Sequence, residues 1–212
     1  MPRPKGARDS DYEAKRQGLL QRMLPRLASL DQARPSLRQL ADAAEVTVPT
    51  LKHYFGGRSE VVTAVLEAFH ARGAGRLAML AQPTLPFAES IRDFAHDLLN
   101  GLSARRGVKL GDVFAVGLAE GLVDADIGPA ALRYIIDPSV DALAARLDSH
   151  VAKGEMVAAD TRAAALMLVA PLLIATLHQD QMQGARHRAL DLPAMADELT
   201  EAFVRAYAAP MS

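Results

Sequence analysis

In the stretch TVPTLKHYFGGR, the chain concentrates two hydroxyls, two cations, an imidazole and a phenol: Thr47, Thr50, Lys52, His53, Tyr54 and Arg58. Hydroxyls, ammonium and guanidinium groups all donate hydrogen bonds to anionic oxygens, so the chemistry offered is that of gripping phosphates. Lys52 can also reach guanine acceptors, and the small apolar Val48 and Pro49 between the polar groups suit contact with thymine methyls. Ser36, a short way upstream, offers a further hydroxyl. The plain alternative is a solvated surface helix that ends in the Gly56-Gly57 turn.

Elsewhere the residues that carry chemistry are scattered. His96, His150, His178 and His187 have no partner at metal-ligand spacing. Asp93 and Asp97 flank His96 on one helical face, but no second cluster accompanies them. No Ser-His-Asp order, glycine-rich phosphate loop or paired-carboxylate pattern stands out, and the absence of cysteine excludes disulfides and thiolate sites. The sequence therefore predicts no enzyme, no cofactor and no metal. Charge is uneven along the chain. Residues 1–58 hold 11 Lys/Arg against 6 Asp/Glu, whereas the remainder holds 13 against 19, for a net charge of −1. A basic head on an acidic body fits a head that meets a polyanion.

The elements that must position these groups read as helices throughout. The 212 residues are half apolar, without Trp and rich in Ala and Leu, which favours helices packed on helices. Ser10-Asp11-Tyr12-Glu13 has the spacing of a capping box and opens a first helix to about Leu30, with Pro25 as a kink. Asp31–Pro35 reads as a loop. Ser36-Leu37-Arg38-Gln39 is a second capping box, opening a helix over Leu37–Ala44. Thr47 caps a third, with Pro49 in its first turn, and Gly56-Gly57 ends it. A fourth runs from Arg58 or Ser59 to about Leu80. Five more are expected, over Phe87–Ser103, Leu110–Leu122, Pro129–Lys153, Thr161–Met182 and Pro193–Ala208. Pro171 lies inside the most apolar of them. No strand is expected.

Two short helices about three residues apart, Leu37–Ala44 and Thr47–Tyr54, make a helix-turn-helix. Its packing needs are met: Ala41 is small where the helices touch, Val46 is apolar after the turn, and Leu51 anchors the second helix inward. The stretch SLRQLADAAEVTVPTLKHYFGGRSEVVTAVLEAF resembles the DNA-binding domain of the tetracycline-repressor (TetR) family. The matching positions are Leu40, Ala41, Ala44, Val46, Thr47, Thr50, Leu51, Tyr54, Phe55, Arg58, Glu60 and Val61. Three positions depart from the family pattern: Glu45 stands for the turn glycine, Pro49 for a common glycine, and Lys52 for a tyrosine.

The resemblance implies an all-α chain of about nine helices. A three-helix DNA-binding head (1–58) would precede a helical body (59–212) that binds an effector and dimerises. The expected DNA-binding residues are Ser36, Thr47, Val48, Pro49, Thr50, Lys52, His53, Tyr54 and Arg58, with Leu51 and Phe55 facing inward. The N-terminus of the fourth helix, Gly57 to Glu60, would suit a phosphate. Arg3, Lys5 and Arg8 either enter a neighbouring minor groove or stay disordered. The partners implied are double-stranded DNA with a palindromic operator, a second copy of the chain, and a small effector. The last two helices would form a four-helix dimer interface, with Leu168, Leu172, Ala175, Leu192, Met195, Leu199, Phe203 and Val204 as candidates. Leu66, Phe69, Phe94, Leu98, Phe114, Leu118, Tyr134, Met167 and Leu173 are candidates to line an apolar effector pocket.

The activity implied is that of a ligand-responsive repressor. Its alternatives are an activator, or a helical small-molecule-binding protein or enzyme whose head has lost DNA binding. The polar, basic N-terminus is not a signal peptide, and the apolar run Ala163–Leu177 is short for a membrane span. A soluble, cytoplasmic protein is expected.

Overall fold

A computed structural model describes residues 5–29, 34–104 and 107–210, with side chains from residue 11 onward. The described chain is all-α: α1 (Lys5–Leu27), α2 (Leu37–Ala43), α3 (Val48–Phe55), α4 (Arg58–Leu80), α5 (Phe87–Leu102), α6 (Leu110–Gly121), α7 (Gly128–Ala131), α8 (Asp137–Ala152), α9 (Thr161–Thr176) and α10 (Leu192–Tyr207). A π turn, Leu132–Ile136, joins α7 to α8 in one continuous rod, so the described residues form nine rods. A second π turn, Leu177–Gln181, prolongs α9. Among the described residues there is no strand, only an isolated bridge between Met156 and Ala208.

Most helix boundaries follow from caps. The Ser36 hydroxyl accepts from the Gln39 amide while the Gln39 side chain accepts from the Ser36 amide, the reciprocal capping box. Thr47 caps α3 through its hydroxyl, which accepts from the Thr50 amide, and Asp160 and Asp191 cap α9 and α10 in the same manner. Gly56 ends α3 at φ 95°, a conformation that penalises any side chain. The first expected boundary is displaced: α1 already runs at Lys5, so Ser10 lies inside the helix and does not cap it. Of the basic tail, Arg3 falls outside the described residues, while Lys5 and Arg8 belong to α1.

By packing, the chain forms two compact units, Met1–Arg72 with Val116–Tyr134, and Gly73–Ala115 with Ile135–Ser212. The proposed division of roles after Arg58 falls at the first residue of the unbroken helix α4. The first turns of that helix bury Val61, Val62, Val65 and Leu66. In the first unit, Leu19, Leu20, Met23, Leu24 and Leu27 of α1 are buried, along with Leu40, Ala41 and Leu51. In the second unit, α5, α8, α9 and α10 pack on one another around Phe94, Leu143, Leu147, Leu168 and Leu172. The apolar helix α9, extended by its π turn, covers nearly the whole of the expected Thr161–Met182. With its π turn, Thr161–Gln181 spans 21 residues at mean hydropathy 1.5, long and apolar enough to cross a membrane, yet it packs against α5, α8 and α10.

Candidate nucleic-acid interface

Helix α3 stands on one fully buried side chain, Leu51. Around that anchor, Pro49, Lys52 and His53 are exposed, while Val48, Thr50 and Tyr54 are half-buried. Leu51 fixes the helix and leaves Pro49, Lys52 and His53 facing outward. The turn before it shows why glycine is usual there: Glu45 adopts φ 58°, the left-handed region. The turn keeps its geometry around a glutamate, closed by the Val46 amide donating to the Ala41 carbonyl at 3.0 Å.

Not every candidate hydroxyl is equally available. Thr47 and Thr50 share a hydrogen bond of 2.9 Å between their hydroxyls, and Thr47 also caps α3. Ser36 is exposed, but its hydroxyl serves the capping box. Tyr54 stacks on Tyr12 of α1, with ring centroids 4.8 Å apart, and His53 meets both rings edge-on. This aromatic cluster joins the reading helix to α1, a role for Tyr12 that the sequence pattern did not reveal. Phe55, expected to face inward as a core plug, is instead half-buried at the margin. The Arg16 guanidinium lies over its ring at 5.1 Å.

Arg58 departs furthest from expectation. Its Nε donates to the Pro35 carbonyl at 2.9 Å, its Nη1 to Glu120 Oε2 at 2.9 Å, and its Nη2 to Glu120 Oε1. Arg34 donates to the same carboxylate at 3.0 Å. One residue on, the Ser59 hydroxyl donates to Asp124 at 2.9 Å and holds that carboxyl below its ordinary value. The start of α4, expected to receive a phosphate, thus already faces two carboxylates of the chain itself. Three of the five guanidinium donors of Arg58 are committed to this joint. The rim of candidate phosphate contacts on α3 is thereby left with Lys52 as its cation.

The apolar residues proposed around an effector fall in different places. Leu66, Phe69, Leu118 and Tyr134 belong to the first unit; Phe94, Leu98, Phe114, Met167 and Leu173 belong to the second. Leu66, Phe94, Leu98, Phe114 and Leu173 are buried. Met167 does not line an interior: it is 63% exposed and accepts a hydrogen bond from the Tyr207 hydroxyl at 3.6 Å. The interface candidates divide similarly. Leu168, Leu172, Ala175 and Phe203 are buried within their own chain, while Leu192, Met195, Leu199 and Val204 are half-buried. The outward face of α9 carries Leu166, Met167 and Ile174 instead, exposed by 50%, 63% and 57%. A rotation of about 100° per residue places these opposite the buried set.

One constellation resembles catalytic machinery and was not visible in the sequence. His150 contacts the Ser90 hydroxyl through Nε2 at 2.9 Å and Glu155 through Nδ1 at 2.5 Å. These are the distances of a nucleophile relay. Ser90 and His150 are both fully buried, however, and Arg146 donates to the Ser90 hydroxyl and carbonyl. With Ser90 and His150 closed off from solvent and Glu155 part-exposed at the outer end, the trio ties α5 to the end of α8. Of the other candidates, His96 pairs with Asp197 at 2.9 Å, Asp97 with Arg76 at 2.5 Å, and Asp93 with Arg146 at 3.3 Å.

No protein-family model matches the sequence, and no curated protein matches it. Solved structures do match the fold. A protein of Mesorhizobium loti assigned to the TetR family of transcriptional regulators superposes with a TM-score of 0.75 at 17% identity, covering 93% of this chain and 98% of that one. A TetR transcriptional regulator of Agrobacterium tumefaciens gives 0.61 at 20% identity, covering 92% and 95%. SmeT, the repressor of the Stenotrophomonas maltophilia multidrug efflux pump SmeDEF, gives 0.60 at 20%, covering 93% and 92%; a complex of SmeT with triclosan also matches. At these identities the likeness is one of architecture: the chain has the fold of TetR-family transcriptional regulators.

Proposed function

We propose that this chain is a ligand-responsive transcriptional regulator that binds duplex DNA. One observation carries the reading: a helix-turn-helix held by Leu51 presents Pro49, Lys52 and His53 to solvent, within a fold shared with transcriptional regulators. In this reading Val48, Pro49, Thr50, Lys52 and His53 face the base edges, Thr47 and Tyr54 meet phosphates, and Lys52 also supplies the charge of the phosphate rim. Arg58 moves from the contact list to the scaffold.

A single reading helix covers few base pairs, so the chain acts as a homodimer on a palindromic operator, with its two heads about 34 Å apart. The second copy docks on α9 and α10. The exposed Leu166, Met167 and Ile174 support that assignment. The protein acts as a repressor in the cytoplasm, released when a small apolar effector binds the helical body. SmeT, a structural neighbour that is itself a repressor and forms a complex with triclosan, supports this finer reading. An effector that binds the two states differently by about 1–3 kcal/mol is enough to couple the sites.

The test is a gel-shift titration of the full chain against the DNA upstream of its own coding region. Sequence-specific, salt-sensitive retardation supports the reading. Absence of any salt-sensitive binding at low ionic strength removes it.

A further inference from the structure

We propose that α1 supplies a second wall for the DNA backbone, so that one sugar–phosphate strand lies in the groove between α1 and α3 with Lys15 and Arg22 as its phosphate cations. The inference rests on the proposed DNA-binding role. With Arg58 held by Glu120, Lys52 is the one cation left among the candidate contacts of α3, and further phosphate cations must come from another element.

Lys15, Gly18 and Arg22 fall on successive turns along one face of α1. Across from them stand Val46, Thr50 and Tyr54, from the turn and from α3, and together the two rows line an open groove of about 450 Å³. Gly18 keeps the floor of that groove clear: a Cβ added there would meet nothing within 4 Å. Arg22 is exposed and, among the described residues, forms no ion pair. Lys15 pairs with Asp11 at 3.1 Å, but both side chains are solvent-exposed, and such a pair yields readily to a phosphate. Thr50 and Tyr54 offer hydroxyls from the opposite wall.

The geometry suits a strand better than an isolated anion. The groove is open rather than enclosed, and it runs beside the reading helix, where the flanking backbone of a duplex must pass. Seven residues of helix separate Lys15 from Arg22 by about 10 Å, so each cation meets a different phosphate of the strand.

The experiment is a salt titration of the full-length protein with a mixed-sequence duplex long enough for two half-sites. Four forms are compared: wild type, the Lys15→Gln/Arg22→Gln double variant, Gly18→Leu and Lys52→Gln. The double variant removes two phosphate contacts from each of the two heads, so it should lower the slope of log K against log salt by about 3.6, at about 0.9 per contact, and weaken all sequences alike. Gly18→Leu changes no charge and adds a better helix former, so its melting temperature should not fall. It should nevertheless bind about ten-fold more weakly because its side chain fills the groove. An unchanged slope in the double variant, with wild-type affinity in Gly18→Leu and a reduced slope in Lys52→Gln, overturns the proposal and leaves the DNA-binding reading standing. Wild-type protein that shows no salt-dependent binding overturns both.

Discussion

Arg58 and Glu120 lie 62 residues apart in sequence, yet they form a bidentate ion pair in which the glutamate side chain is 2% exposed and the arginine 22%. Through Nε, the same guanidinium holds the Pro35 carbonyl just ahead of the α2 cap. A cation at the start of α4 therefore secures both the entry to the helix-turn-helix and the end of α6. Breaking a buried pair typically costs roughly 3–5 kcal/mol, because the remaining charge is left unpaired. Here Arg34 stays on Glu120, and Arg58 retains some solvent, so Arg58→Gln should cost about 2 kcal/mol in urea unfolding. The salt slope of DNA binding should stay unchanged in this variant. A slope reduced by about one contact per head would return Arg58 to the phosphate rim.

Glu45 predicts a gain in stability. Its φ of 58° places a side chain where the left-handed backbone disfavours one. Glu45→Gly should stabilise the chain by about 1 kcal/mol, the relief of strain exceeding the added entropy of the unfolded glycine. Glu45→Val should be destabilising, because a β-branched residue tolerates that region worst. Thermal unfolding of both variants decides the point, and a melting temperature lowered by Glu45→Gly would contradict the account of the turn.

The outward face of α9 predicts the oligomeric state. Ile174→Glu, which changes an exposed residue, should leave the fold intact and shift the protein from dimer to monomer in sedimentation equilibrium. Leu172→Ala, in the buried set, should instead lose about 2–5 kcal/mol of stability. A dimer that withstands Ile174→Glu/Leu166→Glu would place the interface elsewhere.

Asp124 predicts a dependence on pH. The Ser59 hydroxyl, chiefly, holds its carboxyl below the ordinary value of 3.8, with the Asp126 and Ile127 amides and the charge of Arg34 as lesser causes. A carboxyl depressed in the folded state contributes stability above its unfolded value. That contribution is lost as pH falls through the folded one. Ser59→Ala should raise the Asp124 midpoint toward 3.8 in a carbon-detected NMR titration, and should flatten the loss of stability on acidification below about pH 4. A midpoint unmoved by Ser59→Ala would assign the depression to the backbone amides instead.

What the sequence revealed and what it concealed separate along physical lines. The capping boxes, Pro49 and the Gly56 stop are local, governed by neighbours three or four residues away, and they located α2, α3 and the turn to within a residue. Leu51 was legible because helical periodicity and the small Ala41 leave one inward direction. The pairing of Arg58 was not legible because its partner comes from a distant helix, and local sequence contains no trace of Glu120. The Ser90–His150–Glu155 buttress was hidden for the same reason. Pattern alone predicted α9 as apolar around most of its circumference, but only packing distinguished the buried Leu168 and Leu172 from the exposed Met167 and Ile174. Tyr12 was not singled out for the same reason: its stacking partner Tyr54 lies 42 residues away on another helix.

The central claim is that α3 carries a reading face whose phosphate grip depends on exposed cations such as Lys52. The most direct measurement is the affinity for duplex DNA from the upstream region as salt is raised from about 50 to 200 mM, for wild type and Lys52→Ala. Wild type should lose affinity steeply, by about three orders of magnitude if some six phosphates are contacted. Lys52→Ala, which removes one contact from each of the two heads, should show a slope shallower by about 1.8, with thermal stability unchanged. Affinity indifferent to salt, or a Lys52→Ala slope equal to that of wild type, would contradict the account.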